Sequence, residues 1–145
     1  MKSMEYKSEY REICRSIFLK NVPDFFAENE ESPFLEFLDS APSIYRIVLL
    51  DQEVIGSFGV TEIMVGEAGR ISWIMLDPAK QGVGAGRYMI DECLSIANDY
   101  KLGALKISAS HLSEAFFKYF GASREGFVKD GWGKGMHRVD MLLQT

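Results

Sequence analysis

Residues 70–98 read RISWIMLDPAKQGVGAGRYMIDECLSIAN, and the order of elements in this stretch decides the fold. Ile71 to Leu76 is a nearly unbroken apolar run with β-branched and aromatic members, the composition of a buried strand. Asp77-Pro78 stops it, because proline has no N–H to continue a ladder. Gln81-Gly82-Val83-Gly84-Ala85-Gly86 follows, with three glycines in five residues. From Arg87 the period becomes that of a helix. Met89, Ile90, Cys93, Leu94 and Ala97 share one face; Asp91, Glu92, Ser95 and Asn98 share the other. Strand, glycine loop and helix in that order put free N–H groups and the positive end of a helix dipole, about half a unit charge, at the loop. Glycines, having no Cβ, let a ligand approach the backbone. The physical reading is an anion site suited to phosphates.

Two common phosphate loops do not fit. A P-loop ends in Gly-Lys-Ser/Thr, and here Gly86 is followed by Arg87-Tyr88. A dinucleotide fingerprint needs G-x-G-x-x-G. Gly82 and Gly84 satisfy its start, but Arg87 stands at the third glycine, and beginning at Gly84 puts Met89 there.

At 145 residues the chain reads as one domain, 1–145, long enough for a proper core. An apolar fraction of 47% with 26% charged residues is ordinary for a globular protein, and no apolar run reaches the length of a membrane span. The N-terminus has no signal-peptide pattern. Cys14 and Cys93 each fall on the apolar face of an expected helix, which suggests reduced, buried packing residues and a cytoplasmic setting. His111 and His137 are isolated, so no metal site is expected. A formal net charge of −5 argues against general nucleic-acid binding and mildly favours a cationic substrate such as an amine.

Around the decisive stretch the chain alternates cleanly. A short edge strand is expected near Met4 to Lys7, then a helix from Ser8, broken at Asn21-Val22-Pro23. Asp24 to Glu31 mixes Phe25 and Phe26 with acidic residues and reads as a solvated loop, the alternative being a lid that attracts a cation. Ser32-Pro33 carries an N-cap-plus-proline signature for a second helix, which ends at Ala41-Pro42. Ile44–Leu50 and Val54–Glu62 read as strands, with Gly56 and Gly59 marking close backbone contacts or a bulge. After the long helix, Leu105–Ala109 reads as a strand and Ser113–Phe120 as a short helix. Phe127–Lys129 and Met136–Leu143 read as a last hairpin around Asp130 to Gly135. The expected class is α/β: a mixed, mostly antiparallel sheet of six or seven strands with helices on both faces.

The pattern Gln81-x-x-Gly84-x-Gly86, between a strand ending in Asp77-Pro78 and a helix, resembles the acetyl-CoA loop of the GNAT family of N-acetyltransferases. A second stretch, Ser113 to Ala122, resembles the family's A-x-x-F-Y-x-x-x-G-F motif and covers its first phenylalanine with Phe116. The family's tyrosine, often the proton donor to the departing sulfur, falls on Phe117, which has no hydroxyl; its last phenylalanine is Ala122. Tyr119 lies about 200° further round the helix and is expected to face elsewhere. Phe116 and Phe120 are expected in the core and Phe117 beside the thioester.

The resemblance implies that acetyl-CoA is the co-substrate and lies where the strands around Leu76 and Ile107 splay apart. Backbone groups of Met75 and Leu76 would then meet the thioester and pantetheine. The backbone from Gln81 and Gly82 through Val83, Gly84, Ala85 and Gly86 to Arg87 would hold the pyrophosphate. The Arg87 side chain either joins it or points to solvent. Ser110 either meets the pantetheine arm or simply caps a helix.

Acetyl transfer to an amine needs a base, directly or through water. Glu62 stands near the place where the family often has one, the alternative being a solvated strand-end carboxylate. His137 has a suitable pKa, the alternative being surface or packing. Ser72 is a poor base and at most positions water. The implied function is direct acetyl transfer to a primary amine of unnamed identity. A non-catalytic acyl-CoA sensor is the rival, consistent with Phe117, and an adaptor without ligand is a further one. A homodimer through an exposed last strand is compatible with the pattern.

Overall fold

The computed structural model describes residues 1–145. Seven strands form one sheet: β1 Lys2–Glu5, β2 Tyr45–Leu50, β3 Glu53–Met64, β4 Ala68–Leu76, β5 Ala104–Ser110, β6 Ser123–Gly133 and β7 Met136–Gln144, in the order β1-β2-β3-β4-β5-β7-β6. Every neighbouring pair is antiparallel except β4 and β5. Four helices complete the chain: α1 Arg11–Lys20, α2 Glu31–Asp39, α3 Ala85–Asp99 and α4 Glu114–Tyr119. The α/β class and the mostly antiparallel sheet are as the sequence implied.

Each face of the sheet carries its own core. On one side Cys14, Ile17 and Phe18 of α1 and Phe34 and Leu38 of α2 pack on Tyr45, Ile47 and Met75. On the other, Ala85, Met89, Ile90, Cys93 and Ala97 of α3 cover Val48, Phe58, Val60 and Ile71, and the same core continues to β5 and β7. The apolar stripe read along residues 89–97 is therefore the buried face of α3. Both cysteines are free and buried, and burial pushes their thiols up, to about 11 for Cys14 and about 12 for Cys93.

Two bulges shape the middle of the sheet. Gly59 and Ser57 on β3 face Ser72 and Met75 on β4, so β4 carries an extra residue there; β3 carries one between Thr61 and Met64. Trp73 and Glu62 sit in these bulges with positive φ, 51° each. The first bulge resets the alternation of β4, turning Ile71 and Ile74 to the α3 side and Trp73 and Met75 to the α1–α2 side. The fully buried Tyr45 holds this geometry: its hydroxyl donates to the Trp73 carbonyl at 2.7 Å. A carbonyl only accepts, so Ser57 Oγ, 2.8 Å away, donates to Tyr45. We expect Tyr45→Phe to lower stability by about 1–3 kcal/mol, read from denaturant midpoints, because two buried polar atoms lose their partner. An unchanged midpoint would show that the bulge holds itself.

The expected close contacts at Gly56 and Gly59 are present. A Cβ at Gly59 would lie 2.5 Å from the Ile44 carbonyl, and one at Gly56 would lie 2.6 Å from that of Met75.

Three local expectations are corrected. The edge strand is β1, starting at Lys2, not Met4 to Lys7. The acidic stretch is not a plain loop: Glu28–Glu30 is a 3-10 turn running straight into α2, which starts at Glu31 instead of at a Ser32 cap. The Ala27 N–H donates to Glu30 Oε2 at 2.7 Å, which closes that turn. The last hairpin is longer than expected, because β6 runs on to Gly133; the Asp130 carboxylate accepts from Gly135 N–H at 2.7 Å and braces the turn.

Candidate active site

β4 and β5 are joined only through Ala68–Ala104, Gly69–Leu105 and Arg70–Lys106. Beyond these pairs the strands diverge, while β5 stays paired with β7 along its whole length. The gap opens into a cavity of about 970 Å³ whose wall runs along β4 from Arg70 to Leu76 and along β5 from Ile107 to Ser110. Alternate residues of a strand turn their backbone polar groups to opposite edges. Asp77 N–H bonds Ile55 of β3, so Leu76 faces the gap; its carbonyl is taken by Asn21 Nδ2 at 3.0 Å and its N–H remains on the open side. Met75, by contrast, turns its carbonyl towards Gly56 of β3 and meets the cavity with its side chain.

One end of the cavity is the glycine loop. Asp77 fixes the turn: its carboxylate accepts from Ala79 N–H at 3.0 Å and from Lys20 Nζ at 3.1 Å. Partial burial pushes Asp77 up, but these two donors outweigh it and its pKa is lowered. Gly82 and Gly84 both have φ of +83°, and a Cβ on either would meet nothing within 4 Å. Gly84 is the N-cap of α3 and no side chain caps the first turn, so those N–H groups point at open space. Gln81, Gly82, Gly84, Ala85, Gly86 and Arg87 line the cavity; Val83 does not, and its side chain is exposed. The Arg87 guanidinium makes no ion pair and rests 5.1 Å from the centre of the Phe120 ring.

The opposite end is aromatic. Phe25, Phe26, Phe37 and Trp73 border it, with Asn21 and Glu30 between them and Trp132 across the gap. Phe26 and Phe37 lie 6.0 and 6.4 Å from Trp73, ring centre to ring centre. Trp132 is held by its Nε1–H, which donates to the Ala109 carbonyl at 2.9 Å. The turn at 28–30 spans the gap: a Cβ on Gly133 of β6 would be 3.4 Å from the Asn29 amide. Glu30 is only 8% exposed. Burial raises its pKa, against the opposing Ala27 N–H bond, from 4.5 to about 7.

Most of the candidate residues gather here, but not all. Glu62 lines the cavity; its Oε2 accepts from Arg70 Nε at 2.6 Å, and Arg70 reaches on to Ser108 of β5 at 2.7 Å. Ser72 also lines it, bonded to Thr61 at 2.6 Å. Ser110 borders the cavity with its hydroxyl accepting from Ser113 N–H at 3.2 Å, so it caps the turn into α4. Phe117 is buried in the α3-side core and also forms cavity wall, as do Phe116 and Phe120. Tyr119 borders the cavity but is 75% exposed, so it faces mainly solvent, away from the buried Phe117, as expected.

His137 is not brought to the cavity. Its Nδ1 accepts the Asp130 N–H at 3.0 Å, and its ring lies 4.7 Å from that of His111, so it ties β6 to β7. The cavity lining contains neither cysteine, and no three His, Cys, Asp or Glu side chains group as metal ligands. Asn21, Phe25, Phe26, Glu30, Phe37 and Trp132 line the cavity without a motif to announce them. Glu30 does leave a signal: residues 30, 34 and 38 repeat at helical spacing, and all three are buried.

The acetyltransferase (GNAT) family model matches residues 11–122. No curated protein matches the sequence. Among solved structures, the chain is similar to Ard1 from Thermoplasma volcanium, at 13% identity and a TM-score of 0.83 over 99% of this chain and 97% of that one. It is similar to the ribosomal-protein-alanine N-acetyltransferase from Brucella melitensis, at 14% identity and 0.75 over 100% of both chains. It is also similar to yncA from Salmonella typhimurium, solved with its cofactor acetyl-CoA, at 12% identity and 0.75 over 99% and 93%. Identities this low speak for the fold alone. With the family match over most of its length, an open β4–β5 seam and a glycine loop at the head of α3, the chain belongs to the GNAT family of acetyltransferases.

Proposed function

We propose that the protein, acting as one domain over residues 1–145, transfers an acetyl group from acetyl-CoA directly to a primary amine. The observation that carries this reading is the gap between β4 and β5, which leads from an uncapped helix start to an aromatic chamber. The pyrophosphate lies on the N–H groups of residues 82–87, with Arg87 adding charge. The pantetheine arm runs along β4 and meets the Leu76 N–H, and the amine enters from the aromatic end. Acetyl-CoA bound to yncA supports the ligand assignment.

Neither cysteine lines the cavity and none of its serines is paired with a histidine, which favours attack by the amine itself over a covalent enzyme intermediate. Phe117 cannot protonate the leaving sulfur, but a thiol of ordinary pKa, about 8.5, leaves as an anion. A carboxylate on the wall takes the amine's proton. Glu62 is the one the sequence suggests, although Arg70 already donates to its Oε2. The two free, buried cysteines favour a cytoplasmic setting, and because the last strand, β7, lies between β5 and β6 and has no open edge, it is the end strand β6 that is left to pair in a homodimer.

Thiol release from acetyl-CoA is the test, with a panel of a polyamine, an amino acid and a peptide α-amine. We expect release that requires both protein and amine. Binding of acetyl-CoA by calorimetry without transfer to any amine would favour the sensor reading, for which the missing hydroxyl at Phe117 speaks.

A further inference from the structure

We propose that Glu30 is the group that receives the proton of the acceptor amine, and that the amine enters the aromatic chamber as an ammonium ion. This rests on the acetyl-transfer reading above and assigns a residue to its proton step.

The placement of Glu30 is unusual for a glutamate. It is 8% exposed and borders the cavity beside Phe26, Phe37 and Trp73. Its Oε2 accepts from the Ala27 N–H, and no side chain of the protein bonds Oε1. That oxygen is not among the fully buried atoms that lack a partner, so it opens on the cavity that Glu30 lines. An ammonium in the chamber would meet the carboxylate on one side and aromatic faces, which attract cations, on the others. Glu62 differs on each count, being exposed and bonded to a guanidinium at 2.6 Å.

The charged groups around Glu30 are committed elsewhere. Glu31 beside it and Glu12 on α1 meet Arg15, Lys20 of α1 meets Asp77, and Asp130 of β6 braces its own turn. Glu28 and Asp24 on the same stretch are exposed. Burial and the Ala27 bond alone set its acidity, and burial prevails. A carboxylate near neutral pKa is far better matched to an amine than an ordinary one.

The step balances. The ammonium gives one proton to Glu30, and the freed nitrogen attacks the thioester carbon. The C–N bond forms, the C–S bond breaks and the sulfur departs as thiolate. The second nitrogen proton neutralises the thiolate through solvent, and Glu30 releases its proton to solvent to reset the site.

The experiment compares wild type with Glu30→Gln and Glu30→Asp, using the best amine of the thiol-release panel. Glutamine keeps the shape and can still accept the Ala27 N–H, and circular dichroism checks each fold. We expect Glu30→Gln to lower kcat about 10²–10⁴-fold, the usual weight of a general base, with acetyl-CoA affinity unchanged. The wild-type kcat/KM should rise with pH around 7; that limb should vanish in the glutamine variant and persist, at lower kcat, in the aspartate variant. A glutamine variant with wild-type kcat and the same limb overturns the assignment and leaves acetyl transfer standing. Failure of the wild type itself on every amine, with acetyl-CoA bound, overturns both.

Discussion

Gly84→Val is expected to weaken acetyl-CoA binding at least 100-fold while the fold persists. Gly84 caps α3 with φ of +83°, a conformation that costs a side chain about 1–2 kcal/mol. A Cβ there meets no protein atom within 4 Å, so nothing in the folded chain collides with it. What it occupies is the open space in front of the helix start, where the pyrophosphate is proposed to lie. Each charge-assisted bond lost is worth roughly 1.5–3 kcal/mol, and tenfold in affinity is about 1.4 kcal/mol, so the loss of one or two bonds reaches the stated factor. Calorimetry on folded wild type and variant decides. Equal affinities would remove the loop from the binding site and the phosphate reading with it.

The second large effect is on stability and comes from Glu30. The folded protein holds this proton up to about pH 7, whereas an ordinary glutamate releases it near 4.5. Between those values the folded state binds more protons than the unfolded chain. Stability therefore falls as pH rises through that window, and the loss is complete above it. The size is on the order of 3 kcal/mol. Asp39 and Glu114 act the other way: held low by Arg11 and Arg124, they contribute stability that is lost as pH falls below the ordinary carboxylate range. The windows do not overlap, so unfolding at pH 5 and pH 8 isolates Glu30. Wild type should be the less stable at pH 8, and Glu30→Gln should show little of this difference. The same slope in both proteins would mean that Glu30 titrates normally.

The strand, glycine loop and helix at 70–98 were readable because each has a composition of its own. An apolar β-branched run, three glycines and a 3.6-residue stripe leave few alternatives. The bulge at Trp73 left no such trace, since one extra residue in a strand changes neither composition nor charge. Its consequence is large all the same, because it turns Trp73 into the chamber. Glu30 was hidden among Glu28 and Glu31; only its phase with Phe34 and Leu38 distinguishes it, and that phase requires α2 to be extended backwards through the 3-10 turn. His137 has the right chemistry in the wrong place, because its ring nitrogen secures a hairpin.

The seam between β4 and β5, closed over three residue pairs and open beyond them, makes the sheet an unfinished object. Under the proposed function, acetyl-CoA takes the place of the missing ladder. Its free energy of binding is then added to that of folding: at a ligand concentration 100 times Kd the gain is about 2.7 kcal/mol. In a cell this protein's resistance to unfolding would rise and fall with the supply of its co-substrate, and survival of the chain against proteolysis would carry a record of acetyl-CoA abundance.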